Sequence, residues 1–389
     1  MHLRILPLHT SRAVLTLALV FMGLGGAESY PGFARKYSPT ASIFTFMPCA
    51  SCHDSFPKLT PFGRRFKENG FRLEGDSSSW METLRAYPAA LKTSSFTTGL
   101  GSDTDGSTFG VIKPIAAAGL GSSLSFWIEQ PFDVNDNGVR RREIDHAWVG
   151  VYDVLRGARP DLLNVRGGAF ELDLPFTQAR THNLFAYDPY FLDGGDPEWS
   201  LAAPQRGLEI SGRPLSWARY SVAFVDSVRR SEEYQSSFDT DLYARFAADF
   251  HTTHRVGAFF YEGQDDLVAA SGDVAAEHRR TGADFDLRFA EAGVSVYGLY
   301  LWGNDSGFGA REGSNGGFIQ AEKLATYWLL LTTRYTHVRA AETTGRVIRD
   351  SLALGIQAWL RERFRIAFEY RFQNKNLPDE GVLSIDFVL

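Results

Sequence analysis

The sequence predicts an all-β fold: a transmembrane antiparallel β-barrel of about 16 strands behind a small, mostly helical or irregular N-terminal segment. Three observations carry this. From Leu91 onward, apolar and polar side chains alternate with a period of about two rather than 3.6. The connections between these runs are alternately short and long, as the two rims of an outer-membrane barrel require. After an apolar N-terminus, no stretch reaches the ~18 unbroken apolar residues of a membrane-spanning helix.

Residues 1–27 read as a signal peptide. His2, Arg4 and Arg12 make a mildly basic start, Ala13 to Leu24 is apolar, and Gly25, Gly26 and Ala27 are small enough for cleavage. The apolar run is shorter than the ~20 residues of a membrane anchor. The formal net charge is −6, and with no basic block that balance excludes a nucleic-acid partner. With 37 Gly and 30 Phe against 2 Cys, the composition has the look of a β-rich outer-membrane chain.

Those two cysteines stand together in Cys49-Ala50-Ser51-Cys52-His53. Two thiols and an imidazole at this spacing are what covalent attachment of one haem c requires. The thiols add to the vinyl groups and the histidine becomes the proximal iron ligand. A redox dithiol would need a thioredoxin-like βαβ setting, and structural zinc would need four ligands; neither context is present. Export agrees with the motif, because c-type haem is attached outside the cytoplasm. Two weak candidates exist for the sixth iron ligand. Met47 lies only two residues before Cys49, an awkward position for the opposite face, and Met81 would have to fold back from beyond the next helix.

That helix follows at once. Thr60 is a natural N-cap, Pro61 suits the first helical position, Phe62 and Phe66 share a face, and Gly70 suits a C-cap. Two phenylalanines on a haem face would exclude water and raise the reduction potential.

Phe33-Ala34-Arg35-Lys36, the C-x-x-C-H motif, and Phe56-Pro57-x-Leu59-x-x-Phe62-Gly63-x-x-Phe66-Lys67-x-x-Gly70 together resemble the porin–cytochrome c fusion family of iron-oxidising bacteria. The resemblance in motif covers Phe33 to Phe71, and beyond that it is one of architecture. It implies a signal peptide at 1–27, a monohaem cytochrome c segment at 28–90 and an outer-membrane β-barrel, or porin, at 91–389. One departure is the stretch Tyr37 to Phe46, which looks like an insertion between the Phe-Ala-Arg element and Cys49.

Within the barrel region, Leu242, Ala244, Phe246, Ala248 and Phe250 share a face opposite Asp241, Arg245 and Asp249. Phe285, Leu287 and Phe289 oppose Asp284, Asp286 and Arg288, and Ile366, Phe368, Tyr370 and Phe372 oppose Arg365, Glu369 and Arg371. After a signal peptide, apolar-out and charged-in is the better reading of such faces. Short turns are expected near Gly119–Gly121, Gly157–Pro160, Gly212–Pro214, His251–His254, Glu291–Gly293 and Arg361–Arg363. Long loops are expected at Asp103–Ser107, Asp133–Arg142, Ser227–Ser237, Gln264–Ala276, Gly303–Gly316 and Gln373–Gly381, with the longest at Asp173–Gln205. No turn is obvious within Gly317–Val338. Leu383, Ile385, Phe387 and Leu389 form a last amphipathic strand like those read by barrel-assembly machinery.

His251 and His254 sit in an expected turn rather than on a helix, so they read as a solvated turn rather than a metal pair. The lumen acids alternate with arginines and read as a structural charge ladder. The leading functional expectation is an outer-membrane electron conduit, with extracellular Fe(II) as donor and a periplasmic c-type cytochrome or other carrier as acceptor. The alternatives are a diffusion porin with a haem-bearing structural plug, and a conduit running electrons outward.

Overall fold

The computed structural model describes residues 52–73 apart from 56–57, residue 81, and residues 89–388 apart from parts of the connections (101–106, 136–137, 143, 156–160, 178–182, 192–199, 227–239, 252, 270–271, 308–309, 343–344, 361–363 and 375–377). The signal peptide, the Tyr37–Phe46 insertion, Met47 and Cys49 lie outside the described residues.

The described chain opens with a small hairpin, β1 (His53–Ser55) and β2 (Lys58–Leu59), followed by helix α1 (Pro61–Glu68). The barrel then runs from β3 (Ala89–Leu100) to β20 (Glu380–Val388), which pairs back onto β3 through Ile385↔Ser95 and Phe387↔Thr93. Two walls are each built of two halves. β5 (Leu124–Glu129) and β6 (Phe132–Asn135) pair with β4 (Thr108–Leu120) in one register, Ile115↔Glu129 and Ile112↔Phe132, on either side of Gln130-Pro131. β7 (Gly138–Arg141) and β8 (His146–Val151) return beside them. With each pair of halves counted once, the closed antiparallel barrel has 16 strands.

Side-chain exposure inverts the soluble pattern. On β12 (Asp241–Phe250), Phe246 is 49% exposed on the outer face while Asp241 is 2% exposed in the lumen. Asp284, Asp286 and Arg288 are likewise buried with Phe289 exposed, and Arg365 and Glu369 are buried with Phe372 exposed. Water would expel those phenylalanines, whereas lipid accepts them. Aromatic residues mark the two edges of the apolar belt. Trp217, Phe250, Phe289, Tyr327 and Trp328 ring the short-turn rim, and Phe224, Tyr300, Trp302, Tyr335 and Phe372 lie further along the strands toward the other rim.

Several expected connections shift. The turn sought near Gly212–Pro214 is at Ser216–Trp217, between β10 (Gln205–Leu215) and β11 (Ala218–Asp226). The Gly-x-Pro instead marks a register break, where Leu162 O approaches Gly212 too closely for any Cβ. The hidden turn within Gly317–Val338 is Tyr327–Trp328. The stretches Gln264–Ala276 and Gly303–Gly316 are not loops but paired strand ends, closing at Ala269↔Gly272 and Gly307↔Ala310. Similarly, Asp133–Arg142 contains the β6–β7 hairpin. Polarity in these stretches therefore does not mark a loop.

The longest connection does behave as a loop, and it turns inward. β9 (Asn164–Phe170) is short, so the chain leaves the wall part-way up and enters the lumen. Phe176 stacks 4.7 Å from Tyr297, Asn183 and Gln320 exchange amide hydrogen bonds of 2.8 and 2.7 Å, and the Leu184 N–H donates to Glu369 at 2.6 Å.

Candidate functional site

The region of interest is the short-turn mouth, where the segment that follows the C-x-x-C-H motif enters the barrel. Local rules build it. Thr60 Oγ1 accepts the Gly63 N–H at 3.0 Å, Pro61 opens α1, and Gly70 closes it at φ +64°, where an L residue would be strained.

Cys52 is fixed to this helix through its backbone. The Thr60 N–H donates to Cys52 O at 2.9 Å, and His53 pairs with Leu59 across β1–β2. Gly63 lies directly beneath, and a Cβ there would fall 2.0 Å from Cys52 O. Only glycine allows the two segments to approach this closely. Burial pushes the Cys52 thiol above its ordinary range.

The helix is in turn fixed to the barrel. The Lys58 ammonium meets Glu322 at 2.7 Å and sits 4.2 Å over the Tyr297 ring. Arg64 pairs with Asp286 at 3.0 Å, and Arg288 donates to Leu59 O at 2.8 Å. Glu68 lies among Arg213 at 2.5 Å, Arg255 at 2.8 Å and Arg219 at 3.6 Å. Ser125 donates to Gly70 O at 2.5 Å, and Arg72 reaches Ser122 O and Asp153. These wall residues cluster at the short-turn end, so residues 58–73 plug that mouth.

The two phenylalanines of α1 diverge in role. Phe66 is buried, 6.1 Å from Phe71, which packs on Trp127 at 5.0 Å and Trp148 at 6.1 Å. Phe62 stacks on Phe66 at 6.4 Å but is 43% exposed. From Phe66 a single buried cluster continues through Phe176 and Tyr187 of the inward loop to Leu301 and Val338 of the wall. Met81 is exposed. The wall contacts Glu68, Arg213, Arg255 and Glu322 were not singled out as site residues from sequence, because nothing in a chain pairs an acid with a cation more than a hundred residues away.

Three of the described histidines have hydrogen-bonding partners. His254 Nδ1 accepts the Arg288 N–H at 3.0 Å in the β12–β13 turn region, His278 bonds Asp305, and His337 bonds Asp350. The lumen charges pair across strands, as in Arg245–Asp284, Arg334–Glu369 and Arg365–Asp386, which is the expected ladder.

Beside the plug, Asp161 caps the β8–β9 connection with φ +61°, its N–H donating to Asp153 at 2.6 Å. Burial, and then the Asp153 carboxylate, push Asp161 up to about 6. The folded value exceeds the unfolded value of about 3.9, so ionised Asp161 destabilises the fold. That penalty is complete above pH ~6 and fades as pH falls toward ~4. Asp161→Asn, which tolerates positive φ, is therefore expected to raise the urea midpoint in lipid vesicles at pH 7.5 more than at pH 5. An equal effect at both pH values would contradict this assignment.

No protein-family model and no curated protein matches the chain. Solved structures do match in fold. OmpF of Salmonella typhi, in complex with daunomycin, is 12% identical over 77% of this chain and 97% of that one, with a TM-score of 0.56. In-vitro folded OmpT of Vibrio cholerae, in trimer form, is 11% identical over 77% and 98%, with a TM-score of 0.57. The anion-selective porin from Comamonas acidovorans is 10% identical over 77% and 98%, with a TM-score of 0.54. At these identities the likeness is one of fold. The fold class is thereby defined: a closed 16-strand antiparallel β-barrel with the fold of outer-membrane porins, its short-turn mouth plugged by residues 58–73.

Proposed function

We propose that this barrel is an electron conduit of the outer membrane. Cys49 and Cys52 hold one haem c through thioether bonds, and His53 ligates its iron. The observation that carries the reading is the double fixing of Cys52, to α1 through Thr60 and Gly63, and through α1 to the wall. A group bonded to Cys52 is thereby held in the short-turn mouth. The donor set suits a c-type haem, and the half-exposed Phe62 on the adjoining helix offers an apolar ring to a macrocycle. When bound, the iron takes and passes one electron.

The chain's own residues supply position and environment. The layer of Phe66, Phe71, Trp127 and Trp148 excludes water behind the helix, and low polarity of that kind raises a haem potential. Outer-membrane barrels place their short turns in the periplasm, so the plugged mouth would face a periplasmic c-type cytochrome or another carrier as acceptor. Extracellular Fe(II) is the donor in this reading. The hydrocarbon core is ~30 Å thick, and the buried apolar cluster of the lumen spans part of that distance.

The likeness to porins favours a second reading, a diffusion porin in which the haem-bearing segment is only a structural plug. The buried cluster that crosses the lumen weighs against free diffusion. Protein purified from outer membranes, made alongside haem-maturation machinery, separates the two. The conduit predicts c-type absorbance that shifts to the reduced form when Fe(II) is added. The plug reading predicts an oxidised haem left unchanged and vesicles permeable to small solutes. Reduction by a periplasmic carrier followed by reoxidation by an external acceptor would reverse the direction of flow, and a colourless product would end both readings.

A further inference from the structure

Between α1 and residues 173–176 of the inward loop lies a cavity of about 110 Å³. It has room for three or four waters at ~30 Å³ each, or for one small oxyanion. Eight of its lining residues are Lys or Arg and five are Asp or Glu. Positive charge remains in excess after Glu322 and Asp249, which reach lining residues from outside, are included. The buried lining atoms with no hydrogen-bond partner include two guanidinium nitrogens, Nε of Arg64 on the plug and Nε of Arg166 on β9, beside Asp286 Oδ1 and an Arg245 Nη1–Asp284 Oδ2 pair that face each other at 2.9 Å. Buried donors in native proteins are almost always satisfied, by protein, water or an ion.

We propose that this cavity binds one small, doubly charged oxyanion of the phosphate or sulfate class, which ties the plug helix to the barrel wall. Planar guanidinium forks match such oxygens in geometry and charge. Burial first, and then Arg255 beside it, lower the Arg64 guanidinium to about 10, with Asp286 acting in the opposite sense. An anion among Arg64, Arg255 and Arg288 offsets that repulsion. Arg64 belongs to the plug and the other two to the wall, so the ion bridges the two parts of the chain. The site is independent of the haem reading and of the direction of electron flow.

Equilibrium dialysis of the full chain in detergent, with radiolabelled inorganic phosphate at low ionic strength, tests this. Saturable uptake of one ion per chain is expected. Arg64→Gln should weaken it about tenfold, the loss of one charge-assisted contact. Asp173→Asn should tighten it several-fold, because it removes a lining acid and leaves Arg219 with Glu68 as its one remaining carboxylate partner among the described residues. Misfolding cannot produce two shifts of opposite sign. Bound phosphate should also slow tryptic cleavage at Arg64-Arg65. Absence of saturable uptake by the wild-type protein, or uptake that both variants leave unchanged or shift in the same direction, would overturn the proposal.

Discussion

Replacing Gly63 with alanine is expected to release Cys52 from the plug helix while leaving the barrel closed. In an exposed helix this exchange gains about 1 kcal/mol of helix propensity. Here the sign reverses. The new Cβ would lie 2.0 Å from Cys52 O, 2.8 Å from Cys52 C and 2.9 Å from Cys52 Cα, all of them backbone atoms with no rotamer to escape into. Overpacking of this kind costs about 1–3 kcal/mol or more, and the simplest relief is for the two segments to part. Parting breaks the Thr60–Cys52 hydrogen bond and the His53↔Leu59 pairing. Trypsin should then cut at Arg64-Arg65 and Lys67 at least about tenfold faster, since local opening by ~1.4 kcal/mol is a factor of ten. Heat-modifiable gel mobility should still report a folded barrel. In the haem reading, the variant also carries less haem or haem of lower potential. Cleavage no faster than in the wild type would show that Gly63 is not the contact that seats Cys52.

The parts of this molecule that were legible in sequence are those set by one neighbour's solvent. A lumen-facing Asp241 or Arg365 and a lipid-facing Phe246 or Phe368 alternate because each meets a different medium, and period two records it directly. Thr60, Pro61 and Gly70 were legible for a similar reason, since capping is local. The turn at Tyr327–Trp328 was hidden because its residues answer to the membrane interface rather than to turn geometry. The strand ends at Gln264–Ala269 and Gly272–Ala276 read as loop because Asp265-Asp266 and Leu267-Val268-Ala269 run in blocks rather than alternating, although their register is continuous. The seating of the plug was not legible at all. Lys58 and Glu322 are 264 residues apart, and any of several lumen acids could have met that ammonium. One signal was present: α1 sets Arg64 and Glu68, four residues apart, on the face away from Phe62 and Phe66, which is one charged face too many for a small cytochrome core.

Glu68→Ala is expected to unseat the plug more completely than any other single charge removal on α1. Three guanidiniums, Arg213, Arg255 and Arg219, converge on this carboxylate, and all four groups are largely buried. Asp249 and Asp173 are shared among the same arginines and cannot replace it. Stripping one partner from a buried charge pair costs about 3–5 kcal/mol, mostly from the charge left behind. The pair need not stabilise the fold by that amount, because its own desolvation offsets part of the attraction. Glu68→Gln keeps an acceptor in place and should lose less, so the order wild type, Gln, Ala in resistance to trypsin is the expected result. Acid should act on the same contact. Burial raises the Glu68 carboxyl, but Arg255, Arg219 and Arg213 together hold it well below the ordinary carboxylate range. A folded value depressed below the unfolded ~4.3 gives stability that is whole above that pH and lost as pH falls through the folded value. The wild-type plug should therefore stay seated at pH 5 and loosen only in stronger acid, whereas the Gln variant, which keeps the Asp286 and Glu322 carboxylates on Arg64 and Lys58, should show a smaller transition. Since Asp161, on the adjacent turn, works in the opposite sense between pH 4 and 6, mild acidification should tighten the rim around the plug before stronger acid releases the plug itself. A wild-type plug that opens between pH 7 and 5, with Glu68→Gln opening alongside it, would place the seating contact somewhere other than Glu68.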